Sequence, residues 1–168
     1  VDSFVTSRMR EVISPIGSNG TFLPVPSVPI DMAHRNAVLH RGIWLYVLTA
    51  DARLLVVRRS PKMKTCPNAY SIIGEHHNGQ ETDDACAERA VREELPGLSA
   101  LGARLVRLRP QPRWFLFDYP VGEDNIPRLD RCLISEYAVH LPLNRSQTLV
   151  ALNQGHERES EHEASEML

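Results

Sequence analysis

The sequence predicts an α/β fold in which helices cover both faces of a mixed β-sheet. Two runs that favour strands, at 41–49 and 53–59, read RGIWLYVLT and RLLVVRR. In both runs neighbouring residues are apolar, rather than every second one, which indicates strands that are buried on both faces. A short strand is expected at 71–73, and a strongly periodic helical segment follows it. Three later runs also favour strands, at 103–109, 112–119 and 131–139.

The helix is predicted to begin at Asp83 and to end near Leu95. Thr82 suits the N-cap position, and the two aspartates that follow it suit the positive end of the helix dipole. An apolar stripe recurs every four residues, at Ala87, Val91 and Leu95. Pro96 cannot continue a helix and Gly97 can cap one, so the segment should end there.

Length and composition indicate a single domain. The chain has 168 residues, of which 42% are hydrophobic and 24% are charged, as in ordinary soluble proteins. Residues 1–33 are rich in Ser, Gly and Pro, so we expect an irregular arm ahead of a folded domain at 34–168. The acidic segment at 156–168 is expected to be helical.

Charge and cysteine usage exclude several functional classes. The net charge of −2 argues against binding to a nucleic acid polymer or an anionic membrane, and no apolar run is long enough to span a membrane. Three widely spaced cysteines fit neither a disulfide framework nor a zinc pattern: Cys66, Cys86 and Cys132. Reduced thiols favour a cytoplasmic protein. The chain begins at Val1 rather than Met, so a removed targeting segment is equally compatible with the sequence.

The residues around the helix suggest a site for a divalent cation. Glu93 and Glu94 are adjacent on its last turn, at the negative end of the helix dipole, where two carboxylates repel each other. Glu81 precedes the helix, and Arg89 is placed to hold that carboxylate. Because Mg²⁺ prefers oxygen ligands and sites shared with substrate phosphates, a bound cation explains why the chain keeps this acidic pair.

This stretch resembles the signature of the Nudix hydrolases. That signature, the Nudix box, runs Gly, five residues, Glu, seven residues, and then Arg-Glu-aliphatic-any-Glu-Glu-any-Gly-aliphatic. Set on Glu81, it places its arginine at Arg89, its aliphatic residue at Val91 and its metal-binding glutamates at Glu93 and Glu94. The order of the surrounding strands agrees with the family, so the resemblance covers roughly residues 40–140.

The resemblance implies a Nudix-type α/β/α sandwich that hydrolyses a small-molecule diphosphate with Mg²⁺ or Mn²⁺. It implies catalytic roles for Glu81, Arg89 and Glu94. It implies metal ligands at Glu81, Glu93 and Glu94 and at the carbonyl of Gly74. Members of the family often pair, so a homodimer is the oligomeric state that the resemblance suggests.

The box departs from the family pattern at three positions. Glu75 stands where the first glycine belongs, and Pro96 delays the closing glycine by one residue. The glutamate after the arginine, which in many members binds metal or acts as general base, is Ala90. A substitute carboxylate could come from Glu94, Asp130 or Glu136.

A second resemblance is to the type I isopentenyl diphosphate isomerases and the hydrolases related to them. The stretches that carry it read AHRNAVLHRGIWLYVL, VVRRSPKMKTCPNAY and GEHHNG. By this resemblance a second metal would be held by His34, His40, His76 and Asp130. A diphosphate would be bound by Arg59 and Lys64, with Arg58 and Lys62 close by.

Isomerase activity itself is not expected. The isomerases need a cysteine just ahead of the histidine at 76, and that position holds Gly74; Arg128 takes the place of a second late acid. Two functions remain. One is a Mg²⁺-dependent hydrolase that cleaves the diphosphate linkage of a small nucleoside or organic diphosphate. The other is a catalytically weakened Nudix domain that binds a diphosphate ligand or a protein, which Ala90 favours.

Each assignment has a simpler alternative. Glu93 and Glu94 could be a solvated helix end, the histidines could bind no metal, and the basic loop could be exposed without contacting phosphate. Trp114 and Phe117 are expected in the core rather than as a stacking surface, and His77 has no assigned role. A glutamate of the tail could add a ligand: Glu157, Glu161 or Glu163.

Overall fold

The computed structural model describes residues 12–95, 98, 101–122, 124–158 and 165–167. Its helices are α1 (Ile30–Arg35), α2 (Asp83–Glu94) and α3 (Arg145–Arg158). Its first strands are β1 (Val12–Ile13), β2 (Val28–Pro29), β3 (His40–Leu48), β4 (Leu54–Arg58), β5 (Tyr70–Ser71) and β6 (Ile73–His76). The later strands are β7 (Arg104–Arg107), β8 (Arg113–Tyr119), β9 (Arg128–His140) and β10 (Ser165–Met167).

The main sheet of the described residues is mixed, as predicted. Its centre is the parallel pair β3 and β9, in register from His40 opposite Cys132 to Leu48 opposite His140. β4 and β6 pair antiparallel with β3, while β7 and β8 pair antiparallel with successive parts of β9. β5 and β10 pair with β4. This arrangement confirms the prediction of an α/β fold with a mixed β-sheet.

The two faces of the sheet carry different layers. Side chains alternate along a strand, so His40, Gly42 and Trp44 lie on one face and Ile43 and Leu45 on the other. The second face, here called the α2 face, packs against apolar side chains of α2 and α3 in one core, among them Ala87, Val91 and Leu152. On the first face, here called the α1 face, α1 places the ring of His34 5.6 Å from that of His40.

Most predicted elements lie within a few residues of their predicted bounds. The hydroxyl of Thr82 accepts a hydrogen bond from the amide of Ala85, as an N-cap residue should, and α2 ends one residue before Leu95. The single strand expected at 71–73 is instead two strands, β5 and β6. They have different partners: β5 pairs with β4, and β6 pairs with β3.

The two ends of the described chain differ from expectation in their local structure. β1 pairs with β2, Ile13 and Ile16 are buried, and the expected boundary between residues 33 and 34 falls inside α1. The helical prediction for the tail is wrong at 165–167, because this segment is strand β10 on the edge of β4. Helical propensity was overridden there by pairing with a distant strand.

Trp114 and Phe117 are not core residues, since each is 38% exposed. β8 pairs with β9 alone among the described strands, which leaves its other edge uncovered by a described neighbour. All three cysteines are free thiols, and Cys86 and Cys132 are buried. Within the described ranges there is no helix with the length and apolar character needed to cross a membrane.

Candidate metal and diphosphate site

Arg89 is the centre of the predicted box, and each of its side-chain nitrogens faces an acceptor. Nη2 donates to Oε1 of Glu81 and to the carbonyl of His76, both at 2.7 Å, and Nε donates to Oε2 of Glu81 at 3.3 Å. Nη1 faces Oε2 of Glu93 at 3.1 Å and Oε1 of Glu75 at 3.5 Å. We call Glu75, Glu81, Arg89 and Glu93 the Arg89 cluster. The ion pair expected between Glu81 and Arg89 is therefore formed.

Glu81 is an anchor between the loop and the helix. Its Oε1 also accepts a hydrogen bond from the amide of Asn78 at 2.6 Å, so both of its oxygens are engaged. Burial opposes its charged form, but the hydrogen bonds from Arg89 outweigh burial and hold the pKa of Glu81 below its usual range. Burial also lowers the pKa of Arg89, yet the hydrogen bond with Glu81 and the charge of Glu75 raise it overall.

The other residues expected to bind metal lie in or beside this cluster. The side chain of Glu93 is 56% exposed, and Glu94, the last residue of α2, is half-buried. Gly74 is exposed in β6, opposite Trp44 and next to Glu75. Across the residues that the structure describes, no three box carboxylates bring ligand atoms within 4.8 Å of one another. The donor chemistry suits Mg²⁺, since all these groups are carboxylate or carbonyl oxygens.

Ala90 and Glu75 change the expected membership of the box. Ala90 is fully buried in the core, where its methyl group contributes apolar surface and no ligand. Glu75 was identified in the sequence only as a departure at a glycine position, and the structure places its carboxylate on Arg89. The available signal was its alternation with His76 along β6, which sends the two side chains to opposite faces.

The four residues expected to hold a second metal come together on the α1 face. The ring of His76 lies 5.8 Å from that of His34 and 5.0 Å from that of His40, and one nitrogen from each of the three lies within 4.8 Å of the others. His40 also forms such a group with Asp130 and Cys132. We call His34, His40, His76 and Asp130 the histidine cluster. If this cluster binds a metal, its imidazole nitrogens and carboxylate suit a transition metal such as zinc or manganese.

The contact between His40 and Asp130 requires either a proton or a metal ion between the two side chains. Nδ1 of His40 lies 2.8 Å from the carbonyl of Val38, which can only accept, so Nδ1 carries the hydrogen. In the neutral ring, Nε2 then directs a lone pair towards Oδ1 of Asp130, 3.4 Å away. Both atoms are buried, and neither has a hydrogen bond of acceptable geometry. Two lone pairs facing each other are favourable only when a proton or a metal lies between them.

The predicted basic loop reaches the same face. Arg59 donates from Nε to the carbonyl of Thr65 at 3.1 Å and from Nη2 to its hydroxyl at 2.8 Å, so Arg59 shapes the loop. Nζ of Lys64 lies 3.5 Å from Oδ2 of Asp31, which belongs to the same helix as His34. Arg58 is exposed at the end of β4. Lys64 is therefore in contact with the helix that carries His34.

Arg128 has a structural role at the position where the isomerases have an acid. It is buried, and its guanidinium donates to Asp31 at 3.1 Å and to Asp124 at 2.6 Å. Hydrogen bonds from Arg128 hold the pKa of Asp124 at about 2. These contacts fasten α1 and the loop before β9 to each other beside the histidine cluster.

Of the carboxylates weighed as substitutes for the missing box glutamate, Glu136 is fully engaged. Its carboxylate is 2.9 Å from Nε of Arg109 and 2.8 Å from Nη2 of Arg113, and it accepts a hydrogen bond from Tyr46. Burial raises the pKa of Glu136, but the hydrogen bonds from Arg113 and Tyr46 lower it overall, so it is a weak base. Asp130 belongs to the histidine cluster. Of the tail glutamates, Glu161 and Glu163 lie outside the described residues, and Glu157 lies in the last turn of α3.

Sequence reasoning missed a buried network around Asp83. His77 places Nδ1 3.0 Å from the carbonyl of Glu81 and Nε2 3.1 Å from Oδ1 of Asp83. Three further donors converge on the Asp83 carboxylate: Arg41, Arg107 and Ser135. Burial raises the pKa of Asp83, but the hydrogen bonds from His77 and Ser135 more than offset burial, and this pKa lies well below its usual range. The network fixes the loop that carries Glu81.

Comparison with known proteins shows the fold. No protein-family model and no curated protein matches the sequence. Among solved structures, DR0079 from Deinococcus radiodurans aligns with a TM-score of 0.54 and 19% identity over 80% of this chain and 74% of that one. The dihydroneopterin triphosphate pyrophosphohydrolase of E. coli aligns with a TM-score of 0.44 and 18% identity over 62% and 69%. The Nudix hydrolase RenU of M. smegmatis aligns with a TM-score of 0.40 and 13% identity over 80% and 70%. The first match establishes a shared fold, and the other two carry no further argument.

Proposed function

We propose that the chain is a divalent-cation-dependent hydrolase that cleaves the diphosphate linkage of a small nucleoside or organic diphosphate. The observation that carries this proposal is the Arg89 cluster, in which one guanidinium gathers carboxylates from β6, from the loop before α2 and from α2 itself. The spacing of Glu81, Arg89, Glu93 and Glu94 is that of the Nudix box. Mg²⁺ or Mn²⁺ would be held by Glu93, Glu94 and the carbonyl of Gly74, beside Glu81.

The reaction adds water to one phosphorus as the bridging P–O bond breaks, and the bridging oxygen leaves with the other phosphoryl group. When bound, a divalent cation supplies Lewis-acid polarisation of the phosphoryl oxygens. Arg89 orients the carboxylates, and Glu94 is the proposed proton acceptor for the attacking water. Glu81 acts through Arg89 as a positioning residue.

The substrate diphosphate would contact the basic loop on the α1 face. Lys64, with its side chain 55% exposed, can exchange the carboxylate of Asp31 for phosphate oxygens. Arg59 holds the loop, and Arg58 adds an exposed guanidinium. A second divalent ion would be held by the histidine cluster, where the lone pairs of His40 and Asp130 face each other. This arrangement favours descent from the isomerase-like branch, with hydrolysis in place of isomerisation because Gly74 has no thiol.

The decisive measurement is phosphate release from a panel of nucleoside and prenyl diphosphates with Mg²⁺. Glu94→Gln should lower the rate at least about a hundredfold, because it removes a charged group from the reacting centre. Glu88→Gln, an exposed position on the same helix, should leave the rate unchanged. A natural chain that turns over no substrate of the panel would overturn the hydrolase proposal.

The alternative function is a weakened Nudix domain that binds a diphosphate ligand or a protein partner. The observation that favours it is Ala90, fully buried where the box has a carboxylate. Calorimetric titration with a non-hydrolysable diphosphate separates the two functions. Tight binding to both the natural chain and Glu94→Gln, with no release of phosphate by either, would favour the binding module.

A further inference from the structure

We propose that Glu75 supplies the carboxylate that the box lacks at Ala90, and that it is a ligand of the cation at this site. This inference rests on the proposed function, since it assigns a residue to the cation that the hydrolase requires. It was not among the substitutes that the sequence suggested, which were Glu94, Asp130 and Glu136.

The register of β6 directs Glu75 into the Arg89 cluster. Glu75 is opposite Ile43 in the antiparallel pair of β6 with β3, and Ile43 belongs to the core on the α2 face. Its side chain is only 15% exposed, and its Oε1 lies 3.5 Å from Nη1 of Arg89. The same nitrogen donates a hydrogen bond to Oε2 of Glu93 at 3.1 Å. Glu75 on the strand and Glu93 on the helix therefore approach the same nitrogen of Arg89.

Position 75 lies on β6 and position 90 on α2, and Arg89 of α2 joins these two elements through the carbonyl of His76. Ala90 is the residue after Arg89 on α2, and α2 packs tightly against the end of β6, where Sγ of Cys86 lies 3.6 Å from the carbonyl of His76. A carboxylate can enter this space from the helix or from the strand. In this chain the helix position is a buried methyl group and the strand position is a glutamate.

The charge of the site is the same in either arrangement. Glu75, Glu81, Glu93 and Glu94 surround or adjoin the single guanidinium of Arg89. Glu81 neutralises that guanidinium at short range, 2.7 Å, whereas Glu75 at 3.5 Å adds negative charge beyond what Arg89 balances. Moving one carboxylate from position 90 to position 75 keeps the excess negative charge that a divalent cation requires.

Manganese binding followed by electron paramagnetic resonance tests this role without measuring activity. The chain is first given one equivalent of Zn²⁺, which imidazole ligands prefer over Mn²⁺, so that the histidine cluster does not contribute to Mn²⁺ binding. Glu75→Gln should weaken Mn²⁺ binding at least about tenfold, since even indirect partners of a metal contribute that much. Glu75→Asp should retain more affinity than Glu75→Gln, and Glu88→Gln should bind as the natural chain does.

An exchange of the two positions gives a second test. Glu75→Gly should lose Mn²⁺ affinity, and the double variant Glu75→Gly with Ala90→Glu should regain it; circular dichroism confirms that each variant is folded. Failure of a folded double variant to regain affinity overturns the inference. If the double variant does not fold, the Mn²⁺ affinities of Glu75→Gln and Glu88→Gln decide the test, and equal affinities overturn the inference.

The two proposals fail in different ways. Equal Mn²⁺ affinity of the natural chain and Glu75→Gln, with phosphate release intact in the natural chain, overturns the role of Glu75 alone. Absence of both Mn²⁺ binding and phosphate release in the natural chain overturns the proposed function and this inference with it.

Discussion

The two faces of β6 present two different kinds of site within adjacent residues. Glu75 points to the α2 face and joins a partly exposed cluster of carboxylates around Arg89. His76 points to the α1 face and joins a buried group of imidazoles around His40, which is 0% exposed. The first set suits a hard cation that is shared with substrate and exchanges readily, and the second suits a more permanently held ion.

The two sites are also mechanically joined. The carbonyl of His76 accepts a hydrogen bond from Arg89 at 2.7 Å, while the ring of the same residue lies in the histidine cluster. One short strand, β6, therefore positions residues of both clusters. The Arg89 cluster depends on one guanidinium, whereas the histidine cluster depends on the packing of buried rings. Single substitutions can test this difference.

The largest effect, on stability and activity together, is expected from Arg89→Met. It leaves three carboxylates without the guanidinium that they share, so the unfolding free energy should fall by about 2–3 kcal/mol, less than for a fully buried ion pair because the cluster is partly exposed. Phosphate release should be lost as well. Urea unfolding measures the first effect, and Arg92→Met, an exposed position of the same helix, is the control. A stable, active Arg89→Met protein would show that Arg89 does not organise the box.

Asp83→Asn should be the next most severe change. It leaves Arg41 and Arg107 without their shared carboxylate, at a cost of about 3 kcal/mol. Because the pKa of Asp83 is lower in the folded chain than in the unfolded chain, its stabilisation is present above the unfolded pKa and is lost as the pH falls below about 5.

The natural chain should accordingly lose stability between about pH 5 and pH 2 more steeply than Asp83→Asn does. Urea unfolding across that pH range is the measurement. Asp84→Asn is the control, because its carboxylate pairs with the hydroxyl of Tyr137 rather than with arginines. Parallel pH profiles for the natural chain and Asp83→Asn would contradict the claim that the charged Asp83 carboxylate stabilises the folded chain.

Metal binding at the histidine cluster should change the unfolding free energy more than the rate of phosphate release. Saturating Zn²⁺, at about a hundred times its dissociation constant, should raise the unfolding free energy by about 2.7 kcal/mol, and a chelator should reverse the change. Asp130→Asn should reduce this gain, whereas Asp118→Asn, 71% exposed on β8, should not. Thermal unfolding with and without Zn²⁺ measures this stabilisation. Equal stabilisation of both variants by Zn²⁺ would argue against a metal site at Asp130.

The smallest effect is expected at the basic loop. Lys64→Met should raise KM several-fold with little change in kcat, because an exposed ammonium contributes about 1 kcal/mol to binding of a charged group. Arg104→Met, an exposed cation on β7, is the control and should leave KM unchanged. A change confined to kcat would place Lys64 in the chemical step instead.

Local features of the fold could be predicted because they depend on neighbours in sequence. The bounds of α2 follow from Thr82 at the N-cap and from the four-residue stripe, and the pairing of Glu81 with Arg89 follows from their fixed separation across the first turns. The strands β3 and β4 follow from their apolar runs. These features depend on helix and strand geometry, which repeats every few residues.

Features that depend on distant pairing were predicted less well. Trp114 is exposed because β8 has no described neighbour on its outer edge. Residues 165–167 form a strand because they pair with β4. The engagement of Glu136 by Arg109 and Arg113 removed a candidate base that the sequence had left open. None of these contacts is encoded within one turn or one strand.

The sequence by itself determined which groups are available: the spacing that gathers carboxylates around Arg89, and the histidines and lysine of the proposed metal and diphosphate sites. Tertiary structure alone decided which of them meet. The parallel register of β3 and β9 brings His40 beside Asp130, and the alternation of β6 sends Glu75 to Arg89 and His76 to His34. The physical reason is that a one-residue change of register moves every side chain of a strand to the opposite face, and register is set by the packing of the whole sheet.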